Sequence, residues 1–164
     1  MINLRILSLA GGCAVIVFSL SFAHPFGNPR SVAAPSGPLL AGAEIPDPLR
    51  ELMGRKCGNC HSEAVEWPFY SRLAPVSWLV ERDVSEAREH MNLSRWSTYT
   101  SQDKAVLLSR LAAEASSGEM PPARYVAIHR DSKLTPRERD SLYEWAREER
   151  KRLRIEVQEA EGGK

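Results

Sequence analysis

The chain lacks a surplus of either charge. Its 22 lysines and arginines face 21 aspartates and glutamates, a formal net charge of +1. A dedicated nucleic-acid binder carries a basic excess to neutralise phosphates, so nucleic acid is not expected as a partner. Cysteine is scarce as well: three in 164 residues are too few to staple a small secreted fold by disulfides. No alternating apolar–polar run exceeds a few residues, and residues 125–129 are the single weak strand candidate, which argues against a sheet-built fold. There is no internal repeat. Glycine and proline, at 10 and 11, are too few for a collagen-like or wholly disordered chain.

What is present begins at the N-terminus. Met1-Ile2-Asn3-Leu4-Arg5 precedes an uncharged, mainly apolar run over residues 6–23. One positive charge ahead of such a run is the signature of export. A helix of this length rises about 27 Å, close to the roughly 30 Å hydrocarbon core of a bilayer. Ser21-Phe22-Ala23 also supplies small residues at the offsets for cleavage after Ala23. Residues 1–23 therefore read as a signal-anchor helix or a signal peptide, and both place the remainder outside the cytoplasm. Cys13 reads as a small apolar residue of that leader rather than a lipid-attachment site, because the apolar run continues well past it. Residues 24–46 are rich in proline, glycine and alanine without a helical or strand period, and read as an extended tether. Arg5, Arg30 and Glu44 are the only charged residues before position 46, leaving 20 bases and 20 acids beyond it. The folded part thus has no global field to steer a charged partner.

The remainder reads as all-α. Asp47 as N-cap and Pro48 open a short helix to about Arg55. A second follows Ala74-Pro75, with Val76, Val80, Val84, Ala87 and Met91 recurring at helical spacing. A third starts at Thr100 or Ser101, presents Val106, Leu107, Leu108, Leu111 and Ala115 on its apolar side, and closes at Gly118. The fourth opens on Thr135-Pro136-Arg137-Glu138, a capping box with proline at the first position, and buries Leu142, Trp145, Ala146 and Leu153. Its far end is charged nearly all round and reads as a solvated, fraying helix. The folded domain is expected over residues 47–158, with a disordered tail at 159–164.

The chemistry lies in Cys57-Gly58-Asn59-Cys60-His61. This is C-x-x-C-H, the attachment signature of c-type haem. Two thiols on one turn can each add across a vinyl group on one porphyrin edge, and the histidine behind them lies where a ring nitrogen can bind the iron. With 3 cysteines and 4 histidines in 164 residues, a chance match is expected roughly once in a thousand such chains. Two alternatives fit the residues less well. A thioredoxin-like C-x-x-C requires a βαβ context that is missing. A zinc site built from Cys57 and Cys60 with His90 or His129 lacks a second tight ligand pair.

A second axial position needs a ligand. Met1 lies in the leader, Met53 is too near the attachment site in sequence to cross to the other face, and Met91 fits an apolar helical stripe. Met120 sits in Gly118-Glu119-Met120-Pro121-Pro122, off a helix end and stiffened by two prolines, and is the favoured distal ligand. His90 and His129 remain the alternatives. Trp67, Phe69, Tyr70 and Trp78, clustered just behind the attachment point, are expected to wall the haem. Tyr143 and Trp145 are expected to pack rather than relay electrons.

These residues resemble a family of small bacterial c-type haem-binding domains. The likeness rests on Cys57 to His61, Trp67-Pro68-Phe69-Tyr70-Ser71, Ala74-Pro75-Val76-Ser77-Trp78, Arg88-Glu89-His90-Met91-Asn92 and Gly118 to Pro122, with Tyr125 and His129 beyond. It covers roughly residues 48–150. It implies a single covalent haem, cytochrome c-like topology, and a domain on the periplasmic side of the inner membrane behind an N-terminal membrane segment. Met120-Pro121-Pro122 is also similar to the distal-ligand loop of class I cytochromes c, and residues 142–146 to their C-terminal helix. The leading expectation is a monohaem electron-transfer domain rather than an enzyme, with Cys57, Cys60, His61 and Met120 holding the haem, a redox protein as partner and the membrane reached through the N-terminal segment. The alternative is a haem-based sensor or enzyme with a labile distal side, where His90, His129 or Tyr125 would be the polar groups. A third is an interaction module in which the haem is purely structural.

Overall fold

The computed structural model describes residues 4–31 and 37–162, and among them every regular element is helical. The helices are α1 (Leu4–Leu20), α2 (Asp47–Lys56), α3 (Gly58–His61), α4 (Val76–His90), α5 (Ser101–Ser117), α6 (Ala123–Ile128) and α7 (Pro136–Gly162). Short 3-10 turns at Pro29–Ser31, Phe69–Arg72, Leu93–Thr98 and Arg130–Ser132 join them.

Capping chemistry sets several boundaries. Thr135 and Glu138 form the reciprocal box: the Glu138 N–H donates to Thr135 Oγ1 at 3.3 Å, and the Thr135 N–H donates to Glu138 Oε2 at 2.7 Å. Thr100 accepts from the Asp103 N–H at 3.1 Å, and Gly118 ends α5 at φ 82, where a side chain would be strained. α2 departs from expectation. Pro46 takes the cap position and Asp47 is the first helical residue, with no side-chain cap bond. The weak strand candidate at 125–129 is also corrected, since Pro122 starts a helix there and accepts from the N–H of Tyr125 and Val126 at 2.9 and 3.1 Å.

The core lies between α5 and α7, which pack along each other. Leu108, Ala112 and Ala115 meet Leu142, Trp145, Ala146 and Leu153, and α2 adds Leu49, Leu52 and Met53. Trp96 and Leu93, from the turn before α5, are wholly buried. Each such large side chain removed from water contributes about 1.5–3 kcal/mol. Val106, expected on the buried side of α5, is 48% exposed, because the buried stripe runs through 108, 112 and 115. α7 continues as helix to Gly162 rather than ending at 158, so a tail disordered from 159 is corrected as far as residue 162; residues 163–164 lie outside the described residues. Arg152 clamps the buried Glu149 through two bonds of 2.8 and 2.7 Å, which supports the helix beyond its apolar stretch.

Residues 24–31 and 37–46 are packed against the helices rather than strung out as a tether. Leu40, Ala43 and Ile45 belong to the core, Trp145 Nε1 donates to the Glu44 carbonyl at 2.8 Å, and the Arg50 guanidinium donates to the carbonyls of Leu39 and Leu40. Leu40 adopts φ 58, a left-handed conformation that its complete burial and these bonds hold in place.

The segment before it forms a strap over α4. Arg30 Nε donates to Glu81 Oε1 at 3.0 Å and Arg30 Nη2 to Ser71 Oγ at 2.9 Å. His24 Nδ1 lies 2.9 Å from Glu81 Oε2, and Arg88 donates to the Pro29 carbonyl at 2.9 Å. The face that α4 buries is therefore Ser77, Glu81 and Val84. Of the expected stripe, Val76 is 42% exposed and Met91 falls just past the helix end. α1 spans 17 residues, and among the described residues no helix is long and apolar enough to cross a membrane.

Candidate functional site

Lys56 ends α2, and the chain turns at Cys57 directly into the single turn α3. This local geometry brings Cys57, Cys60 and His61 to the wall of one cleft of about 540 Å³, a volume typical of a small-molecule or cofactor site. α4 supplies a second wall with Asp83, Glu86, Ala87 and His90. The floor is apolar, made of Leu107, Leu111 and Ala115 of α5 with Leu134 and Leu142. The loop and helix after α5 complete the cleft with Met120, Pro121, Pro122, Arg124 and Tyr125.

His61 is held in one orientation. Its Nδ1 is 3.0 Å from the main-chain oxygen of Met91, and because a carbonyl only accepts, Nδ1 carries the proton. Nε2 then keeps its lone pair for a metal, the arrangement that fixes tautomer and ring plane in metal-bound histidines. Burial holds the imidazole pKa below its ordinary value, with the Met91 carbonyl opposing, so the ring is neutral near pH 7. Burial also pushes the Cys57 thiol up to about 12, with Cys60 adding to the rise. Cys60 is raised by burial and then by Asp83. Neither thiol is shifted towards the low values found in thiol–disulfide catalysts. Among the described residues no three His, Cys, Asp or Glu side chains converge to hold a bare metal ion.

Met120 faces the same cleft and is 37% exposed. Its loop is folded back on α5, where the N–H groups of Gly118, Glu119 and Met120 all donate to the Glu114 carbonyl at 3.1–3.2 Å. His90 and Met91 also line the cleft, whereas His129 does not. His129 is 2.6 Å from the Tyr70 hydroxyl and stacks on Tyr125 at 4.4 Å, beside a separate cavity of about 60 Å³.

The aromatic cluster is placed differently from expectation. Phe69 is 84% exposed, Trp67 lies under the Arg30 guanidinium at 4.0 Å, and Trp78 Nε1 donates to the Ala23 carbonyl at 2.8 Å. Trp67 and Trp78 serve the strap, and Tyr70 lines the small cavity with Cys60. The apolar walls come instead from α5, whose Leu107, Leu111 and Ala115 read from sequence as ordinary core. Nothing in the sequence pointed to Asn59 bracing the turn of residues 57–61, where its Oδ1 accepts from the Glu66 N–H at 3.2 Å.

Paired thiols on one turn, an imidazole with a free Nε2, a thioether on another wall and an apolar floor together fit a haem. The family model for a haem-binding domain matches residues 15–148. The chain belongs to the haem-binding domain family. This haem-binding domain is also 26% identical over 102 residues to "Cytochrome c peroxidase Ccp" of Escherichia coli (strain K12), across 60% of this chain and 22% of that protein. The chain thus spans less than a quarter of that relative's length. No solved structure matches it.

Proposed function

We propose that this haem-binding domain holds one haem c covalently through Cys57 and Cys60, with His61 and Met120 as axial ligands, and acts as a one-electron carrier rather than a catalyst. The observation that carries the reading is His61, fixed by Met91 with Nε2 free, in a cleft that also receives Met120. The haem supplies a one-electron couple. The protein orients the imidazole, would hold the haem through the two thiols, and lines the floor with apolar side chains. A soft thioether opposite a histidine favours ferrous iron and raises the potential.

A second reading, a ligand sensor or haem enzyme, is favoured by the partial exposure of Met120, with His90 lining the same cleft. Visible spectra of the haem-loaded full chain separate the two. A low-spin ferrous spectrum indifferent to carbon monoxide supports electron transfer. Ready carbon monoxide binding supports the second reading.

The domain is proposed to work on the periplasmic side of the inner membrane, handing electrons to a redox protein. α1 would be retained as its membrane segment. Support comes from contacts on both sides of the alternative cleavage point after Ala23: Ser21 Oγ accepts from the Ala74 N–H at 2.9 Å, and His24 pairs with Glu81. Immunoblotting the haem-loaded protein for a tag placed before residue 6 tests retention.

A further inference from the structure

We propose that the surface formed by Phe22, Phe26, Phe69, Leu73, Val76 and Leu79 is seated in the headgroup region of a phospholipid bilayer. This inference rests on the reading of α1 as a membrane segment. All six side chains are between 42% and 84% exposed, and large apolar side chains left in water mark an interaction surface when they cluster. Its position says what covers it. Two hydrogen bonds fasten the end of α1 to this part of the domain: Ser21 Oγ to the Ala74 N–H at 2.9 Å, and the Ala23 carbonyl to Trp78 Nε1 at 2.8 Å. The exposed apolar residues of 69–79 therefore begin where α1 ends.

Length points the same way. The 17 residues of α1 rise about 25 Å, several ångströms short of a hydrocarbon core of roughly 30 Å. A helix too short to span the core draws its flanks towards the membrane. Here the flank is a domain held to the helix by the strap, so its aromatic and aliphatic residues enter the interface. Aromatic rings are favoured at that depth, and Trp78 offers an amphipathic indole beside them. Arg82, whose guanidinium sits 6.0 Å from the Phe26 ring, can reach lipid phosphates over an apolar stem.

The test is photo-crosslinking of the haem-loaded full chain in phosphatidylglycerol and phosphatidylcholine vesicles. Leu73, Leu79, Ile16 and Tyr143 are each replaced in turn by benzoylphenylalanine, and adducts are read by mass. Positions 73 and 79 should give at least tenfold more lipid adduct than position 143 on α7. Lipid adducts at 16 but not at 73 or 79 would overturn the seating while leaving the anchor intact. Chain-to-chain adducts at 73 and 79 would overturn it in favour of a second copy. Lipid adducts at 73 and 79 without one at 16 would support the seating and refute the anchor.

Discussion

His61 Nδ1–H donates a hydrogen bond to the main-chain oxygen of Met91, 3.0 Å away. The orienting group is backbone, so the Met91 side chain is dispensable for holding the imidazole. Met91→Leu, a swap that conserves volume, should leave the haem-loaded chain low-spin with an unchanged visible spectrum. A switch to a high-spin spectrum would make the Met91 sulfur a ligand.

Met120→Ala should behave differently. Loss of the thioether is expected to open the distal side, bring on carbon monoxide binding and lower the midpoint potential. His90→Ala, the cleft's other candidate, should leave both readouts where they were. Redox titration and ferrous carbon monoxide spectra of the two variants decide between them.

The attachment assignment is tested by denaturation. Acidified organic solvent should extract no haem from the mature chain and all of it from Cys57→Ala/Cys60→Ala. Either single variant should retain one covalent link and shift the ferrous α-band. Haem that stays with the double variant would falsify the covalent assignment.

The strap has its own energetics. Glu81 is 1% exposed and paired with Arg30 and His24. Removing Arg30 leaves the buried carboxylate with His24 alone, whereas Glu81→Gln removes the charge and keeps an amide oxygen that can still accept from Arg30. Urea melts of the haem-loaded chain should therefore rank Arg30→Ala as more destabilising than Glu81→Gln. The reverse order would mean that the strap contributes little to holding the carboxylate.

Acid should loosen the start of α7. Burial raises the Glu138 pKa, but the Lys56 hydrogen bond at 2.8 Å and the two Thr135 bonds outweigh it and bring the net value below 4.5. A depressed carboxylate pKa contributes stability that is complete above the unfolded value and lost as pH falls through the folded one. The stability of the wild type should thus fall more steeply below about pH 4.5 than that of Lys56→Met, as measured by urea melts between pH 3 and 6.

Local chemistry made much of this fold legible. The Thr135–Glu138 box, the Thr100 cap and Gly118 are each completed within a few residues, so their sequence signatures sufficed. The same is true of the attachment turn, where two thiols and an imidazole lie within five positions. The strap was not legible because Arg30 and Glu81 are 51 residues apart, and a buried carboxylate on α4 looks like an exposed one until its partner is known. Residues 37–46 misled for a related reason: they dock through main-chain carbonyls held by Arg50 and Trp145, and such bonds leave no periodic pattern. The walls of the cleft were hidden in plain view, since a leucine facing a cofactor and a leucine facing another helix read alike.

The clamp of Trp145 on the Glu44 carbonyl sets an order of events during synthesis. The two residues are 101 positions apart, so at 5–20 residues per second the earlier one waits on the order of 5–20 s for its partner. Through that interval residues 57–61 are already made while α7, which closes the core behind them, is not. A contact of such long sequence separation is also slow to form. A chain made from its N-terminus thus has residues 57–61 in place before α7 can close the core behind them.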